Sequence, residues 1–212
     1  MLRCLTVLSL CIVPSIVVAA EPASEPTSDY FPRAPKTKWV YLDEQSRVTI
    51  VYEVVGEEEL NKQKCLKLES KVNGLLRATE HLAIKKDGIY RFAVNYKKVE
   101  PPILLLKNLK PEQKTESWEI NSKLGSIPIK GKVEQRRLDP KKSFESTDLK
   151  LTKKEKEAAW MVVTRSLDPQ DKEVVVRTIY AKGKWMVRQM IAVQQAPAIL
   201  TLKEFVPPKK KK

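Results

Sequence analysis

Leu66-Lys67-Leu68-Glu69-Ser70-Lys71-Val72 runs into Asn73-Gly74 and on through Leu75-Leu76-Arg77-Ala78-Thr79-Glu80-His81-Leu82-Ala83-Ile84. Its first half has a period of two. Leu66, Leu68 and Val72 fall on one side of an extended chain, and Lys67, Glu69 and Lys71 fall on the other. One face meets a core and the other meets water. Asn and Gly are the residues that accept positive φ, which a two-residue type I′ turn needs at both central positions. The stretch therefore reads as a β-hairpin.

The same grammar extends in both directions. Trp39-Val40-Tyr41 and Val48 to Val55 are rich in β-branched and aromatic residues and read as strands. Asp87-Gly88 supplies a turn before Ile89 to Val94. Asp168-Pro169-Gln170-Asp171 separates Ala159 to Arg165 from Glu173 to Tyr180, and Ala181-Lys182-Gly183-Lys184 precedes Trp185 to Val193 and then Ile199 to Phe205. Turns at this spacing, with no long segment of helical period, predict an all-β protein: an antiparallel meander of roughly ten strands curled into an open barrel or clam-like sandwich. Two regions interrupt it. Val99-Glu100-Pro101-Pro102 reads as a strand stop, followed by the apolar run Ile103 to Leu106, whose type periodicity leaves open. Leu138 to Glu157 reads as an exposed, charged connection with a helical turn or two at Lys153 to Glu157.

The ends read differently. Arg3, the apolar stretch Leu5 to Val18 and the small residues of Val18-Ala19-Ala20 make residues 1–20 a secretory signal peptide, cut after Ala20. Residues 21–38, with Pro22, Pro26, Pro32 and Pro35, read as an extended linker. The β domain covers 39–206, and 207–212 is a disordered basic tail. Cleavage removes Cys4 and Cys11 and leaves Cys65 alone, so a core must hold the exported chain without an intrachain disulfide.

Composition excludes several kinds of chemistry. One histidine cannot build a multi-histidine metal site, the cysteines lack zinc or iron-sulfur spacing, and six scattered glycines allow no phosphate-binding loop. No cofactor or metal is expected. Four constellations remain. Glu80-His81 offers the sole imidazole base, yet adjacent strand residues point to opposite faces, so a hydrogen-bonded strand histidine is the expectation and a hydrolase built on His81 the competing reading. Glu57-Glu58-Glu59 lacks the spacing of a cation loop and reads as a solvated turn. Cys65 falls in register with Lys67 and Glu69, which makes it partly exposed. Trp39, Trp118, Trp160 and Trp185 lie in or beside apolar strands and read as core side chains.

Charge is the strongest signal: 40 Lys and Arg against 26 Asp and Glu give a formal charge of +14. Lys141, Lys142, Lys153, Lys154 and the tail Lys209, Lys210, Lys211 and Lys212 are the candidates for contact with an anionic surface. They are dispersed, interleaved with acids and without interleaved aromatics, which argues against a nucleic-acid partner.

Further residues point to a family. Tyr30-Phe31-Pro32 before Lys38-Trp39-Val40-Tyr41, then Glu53-Val54-Val55-Gly56-Glu57, Lys64 to Glu69, Thr79-Glu80-His81-Leu82, Asp87-Gly88-Ile89-Tyr90, Ser117-Trp118 and Tyr180-Ala181-Lys182-Gly183 resemble a family of uncharacterised exported bacterial β-proteins. The resemblance spans nearly the whole mature chain. It implies an open-barrel or clam-shaped meander, broadly similar to the periplasmic lipoprotein-carrier fold, and no catalytic motif. The chain departs from that pattern at Ala34-Pro35-Lys36-Thr37 and Lys114-Thr115-Glu116, where glycines are replaced, and at Thr152 to Glu157, where a Val-Pro-Ala-Gly turn is replaced. The expectation is a non-enzymatic protein of the periplasm or medium, serving as an envelope binding or interaction module, with an apolar or amphiphilic ligand as one partner. The alternative is an electrostatic binder of anionic envelope polymers or lipid headgroups.

Overall fold

The computed structural model describes residues 30–109, 113–139, 149–168, 170–193 and 196–208. The expected signal peptide and most of the expected linker lie outside the described residues. So do Pro169, Lys141, Lys142 and Lys209 to Lys212. Twelve strands follow one another: β1 (Lys38–Asp43), β2 (Thr49–Leu60), β3 (Gln63–Val72), β4 (Leu75–Lys85), β5 (Gly88–Val94), β6 (Lys97–Lys107), β7 (Thr115–Leu124), β8 (Ile127–Arg137), β9 (Trp160–Leu167), β10 (Glu173–Ala181), β11 (Trp185–Val193) and β12 (Ala196–Val206). Among the described residues one short helix, α1 (Lys153–Ala158), lies between β8 and β9.

Each strand pairs antiparallel with the next, and β1 pairs with β12 from Lys38↔Val206 to Asp43↔Leu200. The all-β antiparallel meander is as the sequence predicts. The barrel is closed, however, and has twelve strands where roughly ten in an open barrel were expected. The reason is that the apolar run at 103–106 continues β6, and residues 115–137 form the hairpin β7–β8. Pro101-Pro102 does not stop β6. The prolines act sideways instead: without N–H groups they cannot donate to a neighbour, and β6 meets β7 only at Val99↔Leu124 and Glu100↔Lys123. Ser122 Oγ donates to the Pro101 carbonyl at 2.5 Å beside this narrow seam.

Asn73 and Gly74 have φ of 51° and 79° and join Val72↔Leu75, as the hairpin reading requires. The acidic run 57–59 is strand, not turn; the turn falls at Asn61-Lys62, where both residues have positive φ. Gly88 is likewise the first residue of β5. A Cβ there would collide with the Leu106 carbonyl, so close packing of β6 is what demands glycine.

Alternation divides neighbours between two cores. Trp160 and Val162 of β9 point into the barrel, with Trp39, Leu66, Leu68, Leu82 and Tyr180. Met161 and Val163 point outward and meet Ile179, Ala181 and Val187 under Leu149 and Ala159. The expected exposed connection is thereby corrected: Leu149 is buried because it covers the apolar outer face of β9–β11. Its helical turn is present, with Thr152 and Glu155 forming a capping box.

In a meander the connections alternate between two ends. The β1–β2, β3–β4, β5–β6, β7–β8, β9–β10 and β11–β12 turns form one, the hairpin end. The chain before β1 lies at the other and is not a free linker over its last residues. Phe31 is buried, 5.5 Å from Trp39 and 4.8 Å from Trp185 between ring centroids. The Trp185 amide donates to the Tyr30 carbonyl at 2.9 Å. This end is stoppered.

The Gly74 turn gives a direct check. A Cβ there meets nothing within 4 Å, so substitution acts through φ alone. Gly74→Val is expected to lower stability in urea unfolding by about 1–2 kcal/mol, and Gly74→Asn by clearly less. Equal midpoints for wild type and the valine variant would contradict the turn assignment.

Candidate functional site in the barrel lumen

Glu80 and His81 are adjacent on β4 and face opposite ways. Glu80 shares its side with the core residue Leu82 and points into the barrel. Arg91 on β5 stands opposite Leu82 in the register and also points inward. Arg91 Nε donates to Glu80 Oε2 at 2.7 Å. An ion pair thus sits inside a β-barrel, where desolvation is costly unless the charges meet and keep further partners.

Beside the pair lies a cavity of about 270 Å³. Its polar lining is Glu80, Arg91, Gln189 and the rings of Tyr41, Tyr52 and Tyr180, and its apolar lining includes Leu68, Leu82, Leu105, Val176, Met186 and Ile191. The Arg91 side chain is 34% exposed although it lies within the wall, because this space adjoins it. Among the described residues the Arg91 side chain makes no other hydrogen bond, and its terminal nitrogens have no acceptor there. Burial works against the Arg91 charge, but Glu80 and the surrounding tyrosine hydroxyls more than offset it, and its pKa is raised.

The tyrosines are held in place and held neutral. Tyr41 donates to the Met186 carbonyl at 2.7 Å, and its ring meets Tyr52 edge-on at 5.4 Å. Burial pushes Tyr52 up to about 12, with Glu80 adding to the rise and Arg91 opposing it. Burial likewise takes Tyr180 to about 12 against the pull of Arg91. Tyr41 lies well above its ordinary value for the same reason. Towards the hairpin end the wall continues from Ile191 to Val193, two residues on along the same face of β11, and Val193 is exposed. The cavity therefore lies below the hairpin rim.

Of the residues singled out from sequence, Glu80 and Trp185 line this cavity and the others lie elsewhere. His81 is fully buried outside the lumen, its Nε2 3.1 Å from Glu58 Oε2 and its ring against Tyr96; Nδ1 has no hydrogen-bond partner among the described residues. No hydroxyl or thiol among the described residues bonds to it. Cys65 is buried, not partly exposed, although it keeps register with Lys67. Burial pushes its thiol up to about 11, Lys85 opposing and Glu58 adding, so it is not a thiolate at neutral pH. Trp39, Trp160 and Trp185 are core residues as expected, and Trp118 packs against the same core.

Of the eight lysines picked for anionic surfaces, Lys153 and Lys154 are described, and both are exposed on α1. Lys154 borders a second hollow of about 590 Å³ with Lys107, Arg137, Lys182, Glu157 and Trp160. Several of these cations are engaged. Lys107 Nζ donates to Glu116 at 2.6 Å, and Arg137 stacks 3.8 Å from the Trp160 ring centroid and donates to the Ala158 carbonyl at 3.1 Å.

Sequence reasoning missed the lumen residues, yet a signal existed. Glu80 alternates in step with Leu82 and Ile84, and Arg91 in step with Ile89, so both charges fall on the apolar side of their strands.

No protein-family profile and no curated protein matches the chain. Among solved structures, that of a provisionally assigned lipoprotein from Parabacteroides distasonis superposes with a TM-score of 0.46 at 10% identity. The match covers 84% of this chain and 98% of that one. A likeness at that level carries no argument, and the site rests on its own geometry.

The raised tyrosines fix an alkaline signature. Tyr52 and Tyr180 bind their protons more tightly folded than unfolded, where a tyrosine titrates near its ordinary value of about 10. Their contribution to stability is full below about pH 10 and is lost as pH rises towards 12. Unfolding followed across that range should show falling stability, and Tyr52→Phe/Tyr180→Phe should flatten the fall. An identical pH profile in the double variant would contradict the assignment.

Proposed function

We propose that this protein is an exported, non-enzymatic binding module whose lumen takes a short-chain amphiphile with an anionic head. The observation that carries the reading is Arg91: a guanidinium inside a space lined by both apolar and polar side chains, fixed through Nε by Glu80, with its terminal donors unused among the described residues. A carboxylate is the group that pairs with those two donors side by side. Leu105, Val176 and Ile191 supply surface for a tail. A volume of about 270 Å³ is at the lower end for small-molecule sites, which selects a short chain over a full-length lipid. The resemblance of the turn and core residues to exported bacterial β-proteins supports export to the periplasm or medium.

A second reading keeps the lysine-rich surface as a site for anionic envelope polymers. What favours it is the hollow where Lys107, Arg137, Lys154 and Lys182 surround Trp160.

Calorimetric titration with octanoate separates the two. Wild type is expected to bind one equivalent, Arg91→Met to bind at least about tenfold more weakly, and Lys153→Gln/Lys154→Gln to bind as wild type. Trp185 lines the cavity, so its fluorescence should change in parallel. Absence of octanoate binding, or equal binding by Arg91→Met in a folded state, would overturn the lumen reading.

A further inference from the structure

Among the described residues seven large apolar side chains are exposed, and their placement is uneven. Val55 lies on the barrel wall, whereas Leu75, Leu76, Tyr96, Ile127, Leu167 and Val193 all lie in or beside turns of the hairpin end. An exposed apolar side chain alone is ordinary; a group collected at one end of a barrel needs a reason.

Three neighbouring hairpins carry most of it. Leu75 is 62% and Leu76 55% exposed just after the Asn73-Gly74 turn, Tyr96 is 58% exposed in the β5–β6 turn, and Ile127 is 47% exposed after Gly125-Ser126. Exposed cations stand among them: Arg77, Lys97, Lys98, Lys123 and Lys130. Over residues 72–77, 94–100 and 122–130 the sole acid is Glu100, and Lys98 Nζ already holds its carboxylate at 2.8 Å. The far side of the rim differs, since Asp168, Asp171 and Glu173 follow Leu167 in and beside the β9–β10 turn, with Lys172 as the one cation among them. Apolar and cationic side chains are therefore concentrated on the β3–β4, β5–β6 and β7–β8 tips.

We propose that these three tips dock the protein on an anionic phospholipid surface. Leu75, Leu76 and Ile127 enter the headgroup boundary, and Arg77, Lys97, Lys98 and Lys123 meet the phosphates. Charge decides the occupant: a purely apolar patch would suit a second copy of this chain, but a patch carrying five cations and one neutralised acid repels its own copy and attracts an anionic bilayer. Docking in this way turns the rim above the lumen cavity towards the lipid. The inference does not rest on the lumen reading, because no lumen residue takes part.

Co-flotation with vesicles of phosphatidylcholine, with and without phosphatidylglycerol, tests it. Wild type is expected to bind the phosphatidylglycerol vesicles at low salt and to be released by high salt. Leu75→Ser/Leu76→Ser/Ile127→Ser and Lys97→Gln/Lys98→Gln should each weaken binding by about tenfold or more, with unchanged thermal unfolding. Val55→Ser, Lys153→Gln/Lys154→Gln and Arg91→Met should bind as wild type. The last keeps the two proposals separate: intact flotation of Arg91→Met supports docking whether or not the wild type binds octanoate. The proposal is overturned if wild type does not bind anionic vesicles, if the rim variants bind unchanged, or if the Lys153 and Lys154 substitutions abolish binding. It is also overturned if sedimentation shows a dimer that the leucine and isoleucine substitutions dissociate while vesicles are ignored.

Discussion

The pairing of β1 with β12 is the constraint on which the rest of this structure depends. A twelve-strand antiparallel sheet has two edges with unpaired backbone groups, and joining them removes both at once. The join is short, six residues of β1, and side chains from β1 reinforce it by reaching past β12 to β11 and the turn before it. Trp39 Nε1 donates to the Lys184 carbonyl at 2.7 Å, and Tyr41 donates to that of Met186 at 2.7 Å. Both side chains are nearly fully buried, so these bonds form where water does not compete. With the ring closed, everything that points inward shares one enclosed space, and a charge there must find its partner inside.

The two ends of the ring then differ in kind. At one, Phe31, Trp39, Trp185 and Phe205 pack into an aromatic stopper that the chain preceding β1 completes. At the other, apolar and basic side chains remain uncovered on the hairpin tips. Between them the Glu80–Arg91 pair and the tyrosines line the cavity. The β6–β7 seam has the fewest paired residues in the wall, Pro101 and Pro102 contributing no donors, and its two pairs lie towards the same basic tips.

How much of this was legible in the sequence depended on the range of the forces involved. The 66–84 hairpin was readable in its turn and alternation, because both are local, though not in the register shift between Ser70 and Lys71. Ring closure was not, since nothing in Trp39 or Phe205 reveals that their strands become neighbours. Pro101-Pro102 reads as a stop, yet proline forbids donation without forbidding extended backbone, and the charge of Glu57-Glu58-Glu59 is compatible with the exposed side of a strand. Phe31 was visible as an aromatic beside prolines, but its burial depends on Trp185, far along the chain. The lumen pair lay within reach, since Glu80 and Arg91 occupy the apolar parity of otherwise readable strands, whereas His81 falls on the opposite face of β4.

The central claim is that one enclosed, charged space inside the wall receives the ligand, and methyl NMR during octanoate addition tests it most directly. The account predicts saturable shifts of the Ile191, Leu68 and Leu105 methyls, which line the cavity. Ile179 and Val187, packed in the outer cluster, should stay unmoved. Shifts confined to the outer cluster or to Leu75 and Leu76, or no saturable shift at Ile191, would contradict it.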